Sequence, residues 1–463
     1  MEERKVQFRC LKQDFSGKGI VNYKNKNYKF SNLVVNEEAM FKVEKFNQKE
    51  PLKLDKIVKY SPSRCNVNCK NFGSCPICTY SHLDYSKEVE LKEAYVKDLF
   101  AKIRDFKFYP LVKAKDLEHY QNKANLFATK SKASKFSTGF FSKETNSIYT
   151  LTECELQNEA FNKLTILINR IFSGIEPYDS KSKKGVIKSV LLRYTSKETM
   201  VIINTNGVDL PRKEVLVKEL INAKLNVTNV IQNYSEKSGS KFVDKTRVLY
   251  GQGFIFEEYG NIRYRISAKS FYDTNTKMTF ELYNHAISLA GINNSSVSAT
   301  LFSQVGLLPI LVSKTSSKVY AQDSNKSNYQ DLENNLKINK LKNVETISLD
   351  ASKTLKELKY KKINIDNLFV EPSDLGLSDE FVEDLIKLNP KKLIYIGHDA
   401  KTSEHDTYNL GLKGYSLKKL QIIDTNPRTF EISTVLIFES RINNKETNQN
   451  SKQTKPTRRQ SRK

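Results

Sequence analysis

The chain has 463 residues, 38% of them hydrophobic, with 25 Phe and 23 Tyr. That is apolar material for about two to four domain cores, and it excludes a mainly disordered protein. Lys and Arg number 76 against 52 Asp and Glu, a net charge of +24. A fold does not need that excess, whereas a polyanion, foremost nucleic acid, would explain it. A Lys- and Asn-rich bias, as in NYKNKNYK, accounts for part of it. No apolar run approaches the roughly 18–20 residues that span a bilayer, and the opening MEERKVQFRC carries no secretory signal, so a cytoplasmic protein with no membrane partner is expected.

Residues 1–60 alternate short β-rich runs (VQFRCL, GIVNY, YKFSNLVV and MFKVEKF) with a bend at Gly17 and Gly19, the pattern of a small barrel. The six cysteines follow a telling distribution: Cys10, Cys65, Cys69, Cys75, Cys78 and Cys154 all lie in the first third, and none follows. In a reducing compartment such clustering favours metal ligands over disulfides. Cys69, Cys75 and Cys78 share the turn-rich loop CKNFGSCPIC, and Cys154 could close a four-thiolate site. Zinc and an iron–sulfur cluster both suit four thiolates, and spacing does not choose between them. Cys65 reads as a spare ligand and Cys10 as a packed core thiol.

The central block, residues 61–265, continues with a helical stretch, YSKEVELKEAYVKDLFAKI, and returns to strands at TGFFS, SIYTL, SVLLRYT and TMVIINT. From 266 to 440 helices and strands alternate: TKMTFELYNHAISLAG, SVSATLF, KVYAQD, YQDLENNLKINKL, VETISLD, NLFVEP, FVEDLIKL and KLIYIG. Repeated strand–helix units predict a parallel, doubly wound α/β sheet of Rossmann-like type. Residues 441–463 carry eight basic residues, one acid and no apolar period, and read as a disordered basic tail suited to RNA phosphates.

In the α/β block a ligand is expected beyond the carboxyl ends of the strands. Gly306 would let the backbone bend around it, Asp323 could take two ribose hydroxyls, Asp350 could face an adenine, and Glu371 ends the fourth strand. Acids in that order suit S-adenosylmethionine, although acids at strand ends are also common caps of the next helix.

The order of these features resembles the S-adenosylmethionine-dependent RNA uracil-5-methyltransferases, in particular their iron–sulfur 23S ribosomal RNA branch. DFSGKGIVNY is similar to the signature turn of the family's N-terminal RNA-binding barrel, the TRAM domain. SPSRCNVNCKNFGSCPIC resembles the segment that delivers three cluster cysteines, and LTECELQ places Cys154 where the fourth falls. YQNKANL, TGFFS and EEYGNIRYRISAKSFYDTN resemble further landmarks up to the catalytic domain. The resemblance implies a 4Fe–4S cluster on Cys69, Cys75, Cys78 and Cys154, an S-adenosylmethionine pocket, and a substrate of 23S rRNA or a ribosome precursor.

The active-site motifs depart from the family's pattern. Carbon 5 of uracil is a poor nucleophile; the family adds a cysteine thiolate to carbon 6, methylates the resulting enolate, and then removes the carbon 5 proton with a base. The Ser-Cys-Asn-Pro element falls on Gly397, His398, Asp399 and Ala400, so the nucleophile's position holds His398. The Asp-Pro-Pro-Arg element becomes Glu371, Pro372, Ser373 and Asp374. The base's position falls on Ser433, with Glu431 where the family has His; the substrate-contacting Gln is Asp273, between Phe271 and Asn275; and Gln304 replaces the first glycine of the cofactor loop. The expectation is a monomeric RNA-binding protein on this scaffold with its catalytic centre lost. The alternative is an active 23S rRNA or tRNA methyltransferase with an altered mechanism.

Overall fold

The computed structural model describes residues 4–43, 52–131, 136–142, 145–151, 153–236, 239 and 245–441; the tail read at 441–463 therefore lies, but for Arg441, outside the described residues. Two compact units emerge. The first comprises Met1–Asp98, Lys113–Thr279 and Asp424–Glu431, and the second Leu99–Val112, Phe280–Ile423 and Ile432–Lys463. The contacts thus group the barrel-like and central blocks together, and two short stretches of chain cross between blocks that look contiguous in the sequence.

The first unit begins with two three-stranded antiparallel sheets. One consists of Arg4–Arg9, Glu38–Val43 and Leu52–Lys59, the other of Lys12–Gln13, Gly19–Tyr23 and Lys26–Phe30. They share a core of Cys10, Val21, Leu33, Ala39 and Phe41, and Cys10 is a core thiol that donates to the Lys12 carbonyl at 3.2 Å. Gly19 is required by this packing, since a Cβ there would meet the Leu33 carbonyl oxygen at 2.5 Å and Cys10 Sγ at 2.9 Å.

A seven-stranded sheet follows, in the spatial order Ser147–Thr150, Ser137–Ser142, Lys123–Thr129, Ile187–Tyr194, Thr199–Thr205, Val227–Tyr234 and Lys245–Tyr250. All neighbours are antiparallel except Thr199–Thr205 and Val227–Tyr234, which the helix Lys213–Asn222 connects. That helix and Glu159–Ile171 pack on one face, where Leu126, Phe161, Ile168, Val190, Leu216 and Val230 form the core. The alternation of buried and open residues in Lys123–Thr129 is what the two-residue strand period dictates.

A buried ionic group fastens the helix Tyr85–Leu99 to residues 424–428, within the same unit. Lys92 Nζ donates to Glu88 Oε1 and Asp424 Oδ1, each at 2.8 Å, and Tyr85 Oη donates to Asp424 Oδ2 at 2.9 Å. Arg428 adds its backbone N–H to Glu88 at 2.7 Å.

The second unit is an eight-stranded sheet ordered Val344–Ile347, Lys318–Gln322, Val297–Leu301, Asn367–Val370, Lys392–Gly397, Ser433–Ser440, Tyr415–Ile423 and Lys107–Val112. The first five run parallel, as the strand–helix alternation predicts, and Asn367–Val370 is buried throughout. Ser433–Ser440 inserts antiparallel on both sides. Strand order reverses between Val297–Leu301 and Asn367–Val370, which opens a crevice at their carboxyl ends. Among the described residues no helix is long and apolar enough to cross a membrane.

Lys92, Glu88 and Asp424 are all essentially inaccessible, at 1%, 0% and 0% side-chain exposure. Replacing the cation by Lys92→Met leaves two buried carboxylates facing each other, and a loss of about 3–5 kcal/mol is expected. Urea unfolding of the variant against the parent measures it; a change below about 1 kcal/mol would show that the group contributes little.

Candidate active site and cysteine pocket

At the carboxyl end of Asn367–Val370 the chain delivers Glu371 into the protein interior, where it is 4% exposed. Two groups reach it from other elements of the same unit. Tyr283, on the helix Thr276–Ala290, donates its hydroxyl to Glu371 Oε2 at 2.8 Å. His398, immediately after the strand Lys392–Gly397, places Nε2 at 2.8 Å from Glu371 Oε1. Its other nitrogen, Nδ1, lies 3.0 Å from Ser433 Oγ. A carboxylate can only accept, so Nε2 carries a hydrogen and Nδ1 faces the serine hydroxyl. The result is a continuous series Tyr283–Glu371–His398–Ser433 in which both imidazole nitrogens are engaged. Three of the residues picked out from sequence, Glu371, His398 and Ser433, are thereby brought together; Tyr283 was missed, because nothing in a helical TFELYNHA pattern marks one tyrosine as aimed at an acid.

The loop after Val297–Leu301 is tied inward. Phe302 N–H donates to Gln322 Oε1 at 3.0 Å, and Gln304 N–H to Asp323 Oδ2 at 2.8 Å. Phe302 and Gln304 both adopt positive φ, 59° and 51°, which is unusual for residues with a Cβ. Gly306 has φ +97° and leads into the helix Leu307–Ser313; a Cβ there would lie 2.7 Å from Leu332 Cδ1, so the glycine serves the packing of this loop. Asp323 is 6% exposed, and burial raises its pKa against the hydrogen bonds that lower it. Both its oxygens are in use: Oδ1 accepts from Asn325 N–H at 2.8 Å, and the Asn328 amide lies within 3.4 Å of each oxygen.

Asp350 and Asp399 turn out to be helix caps. Asp350 accepts the Lys353 N–H at 2.8 Å at the start of Ala351–Tyr360, and Asp399 accepts the Thr402 N–H at 2.7 Å at the start of Ala400–Leu412. Asp350 also pairs with Lys353 Nζ at 2.9 Å and is half exposed; the Lys353 backbone N–H and ammonium hold its carboxyl below the usual range.

Asp273 and Glu431 belong to the first unit. There they share the field of Lys123, whose ammonium burial destabilises while the two carboxylates favour it. Lys123 Nζ stands 5.0 Å over the Phe271 ring and donates to the Tyr272 carbonyl at 2.5 Å. Asn275 is spent on structure, donating to the Thr425 carbonyl at 3.0 Å.

The four cysteines read as ligands line one pocket of the first unit, with Phe72, Ile77 and Arg428 among their neighbours. The loop is held by Asn71, whose carbonyl accepts the Cys75 N–H at 2.9 Å and whose side-chain amide donates to the Glu153 carbonyl at 3.1 Å. Asn162 clamps the backbone of Cys154 from both sides, at 2.9 and 3.2 Å. Burial pushes the Cys75 thiol up to about 11 and Cys78 up to about 12, and the neighbouring thiols push further in the same direction. Thiolates here would thus need a cation, which is the chemistry of a metal-binding donor set. A single tetrahedral zinc would draw the sulfurs to about 3.8 Å of one another. No three of them gather within 4.8 Å; among the described residues only Glu118, His119 and Glu155 do so, at the surface. Cys65 stands apart, with its sulfur 3.2 Å from the Ser81 carbonyl and 3.1 Å from that of Leu83.

Comparison with known proteins agrees with this architecture. Over 442 residues, 94% of this chain and 95% of the relative, it is 26% identical to a Bacillus cereus protein named as an uncharacterised RNA methyltransferase. A protein of the same description from Halalkalibacterium halodurans is 26% identical over 391 residues, 83% of this chain and 85% of its own length. The fold matches that of the Pyrococcus abyssi tRNA (uracil-54, C5)-methyltransferase in complex with S-adenosyl-L-homocysteine, with a TM-score of 0.70 and 20% identity over 93% of this chain and 99% of that one. The family model of tRNA (uracil-5-)-methyltransferase matches residues 84–441, and the chain belongs to that family.

Proposed function

We propose that this chain is an RNA-binding member of its family in which methyl transfer to uracil carbon 5 has been lost. The observation that carries the reading is the imidazole of His398. It stands at the nucleophile's position, both its nitrogens are engaged by Glu371 and Ser433, and no cysteine follows Cys154 to take its place. Without a nucleophile on carbon 6 the ring does not become an enolate, and carbon 5 does not attack a sulfonium methyl. Asp323 points the same way. Its carboxylate, expected to receive two ribose hydroxyls, is buried and satisfied by the protein's own amides. S-adenosylmethionine is the cofactor the scaffold implies, and in this chain we expect it to bind weakly, through Gly306, Asp323 and Glu371, with Asp350 and Asp273 contributing little.

RNA is the partner that family and charge support, and 23S rRNA or a ribosome precursor is the target we favour. Residues 1–60 would act as a TRAM-like RNA-binding barrel, residues 61–265 as a basic RNA-binding domain, and the tail as a phosphate-binding extension, with the α/β block of 266–440 as the remnant of the catalytic domain. The protein would work as a cytoplasmic monomer. A 4Fe–4S cluster on Cys69, Cys75, Cys78 and Cys154, with zinc as the alternative, would fix the loop Cys69–Cys78 structurally; Glu431 and Ser433 would have no role as bases.

One observation favours a second reading. The Glu371–His398 pair is an acid–histidine arrangement able to take a proton, which suits methylation of an N–H or O–H acceptor without a covalent adduct.

Incubation with methyl-tritiated S-adenosylmethionine and total RNA from a strain lacking the protein is expected to leave carbon 5 of uracil unlabelled, while crosslinking and sequencing recovers structured ribosomal RNA. Label at carbon 5 overturns the proposal, and label on a nitrogen or oxygen selects the second reading. For the cysteine pocket, anaerobic reconstitution with iron and sulfide is expected to give about four irons per chain and visible charge-transfer absorption, both lost in Cys78→Ser. Because ligation must displace protons from thiols pushed up to about 11 and 12, loading should weaken as pH falls. Tight uptake of a single zinc, with no iron, would favour the alternative.

A further inference from the structure

A two-stranded ribbon in the first unit, Phe254–Tyr259 paired antiparallel with Ile262–Ser267, is not accounted for by the catalytic or cysteine chemistry. It turns at Gly260-Asn261, with positive φ (58°) at Gly260. One of its faces is core: Ile255, Glu257, Tyr264 and Ile266 are all at most 4% exposed. The strand period places Phe254, Phe256, Arg263 and Arg265 on the other face, where Arg263 is exposed and the other three are half-buried.

These four side chains form one contiguous cluster. The guanidinium carbon of Arg265 lies 4.3 Å from the centre of the Phe254 ring, and that of Arg263 lies 3.9 Å from the Phe256 ring. The two rings are 5.5 Å apart, edge to face, and Phe256 is the cross-strand partner of Arg265. Glu258 serves both Lys197, at 2.5 Å, and Arg263, at 3.4 Å, and Arg265 donates through Nε and Nη2 to Ser267 Oγ at 3.4 and 3.3 Å. A guanidinium in cation–π contact with a ring is also a fork of N–H donors matched to phosphate oxygens, and the contact holds it in place before any ligand arrives. Bases of a single strand find π-faces and cationic planes at this surface, whereas a regular duplex keeps its bases stacked inside and offers only its backbone.

We infer that the outer face of this ribbon is a stacking site for single-stranded RNA, with Phe254 and Phe256 taking bases and Arg263 and Arg265 taking the flanking phosphates. The inference rests on the RNA-binding reading above and adds to it a place and a strandedness.

The test is fluorescence anisotropy of the full chain with a labelled single-stranded oligoribonucleotide and with an RNA duplex, across a salt series. Arg263→Gln combined with Arg265→Gln is expected to lower the slope of log affinity against log salt by about 1.4 for the single strand, at about 0.7 per phosphate contact. Phe254→Leu with Phe256→Leu is expected to weaken single-strand binding about tenfold or more while leaving duplex binding unchanged. Arg263→Lys, which keeps the charge and loses the planar stack, should fall between parent and Gln variant, and unchanged circular dichroism verifies folding. Variants that bind the single strand as tightly as the parent overturn this inference and leave the RNA-binding reading standing. Equal losses for single strand and duplex also overturn it, since they describe a general basic surface. A parent chain that binds neither RNA removes the RNA-binding reading itself, and this inference with it.

Discussion

The functional reading depends on how one imidazole is held. His398 leaves the end of a buried strand and enters a space already shaped by Glu371, Tyr283 and Ser433, so that its two nitrogens meet an acceptor on one side and a hydroxyl on the other. A buried carboxylate demands donors, and Tyr283 and His398 supply one to each of its oxygens. The group is therefore internally satisfied. The same internal satisfaction recurs at Asp323, whose oxygens are consumed by Gln304, Asn325 and Asn328, and at Asp350 and Asp399, which cap helices.

The cysteine pocket shows the reverse. Burial, with the neighbouring thiols, raises the Cys75 and Cys78 thiols, and Asn71 and Asn162 brace the backbone around the pocket. The four thiols line one pocket, and a metal centre there would offset the cost of ionising them.

The periodicities carried the element pattern far. Most strands of the first 60 residues, the helix after the cysteine loop and the strand–helix repeats from 276 onward correspond to elements of the fold, because each segment's apolar period must match the element it forms; YKFSNLVV is strand only to Phe30, and MFKVEKF runs past Val43 out of the described residues. Less legible were the pieces that change partner. Lys107–Val112 looks like part of the central block and instead pairs with Tyr415–Ile423, while residues 424–431 return to the first unit through the Lys92 group. Such pairings join residues more than 300 positions apart, and no local period encodes them.

By itself the sequence determined the chemistry available: six cysteines all toward one end, a large basic excess, and acids at the ends of successive strands. Residue identity decides what a group can do, and that is readable in one dimension. Only the tertiary structure decided what each group is already doing. It turned Asp350 into a helix cap, gave Asp323 to its own loop, set Cys65 against the Ser81 and Leu83 carbonyls and joined Tyr283 to Glu371, because hydrogen-bond satisfaction and burial depend on neighbours distant in the chain.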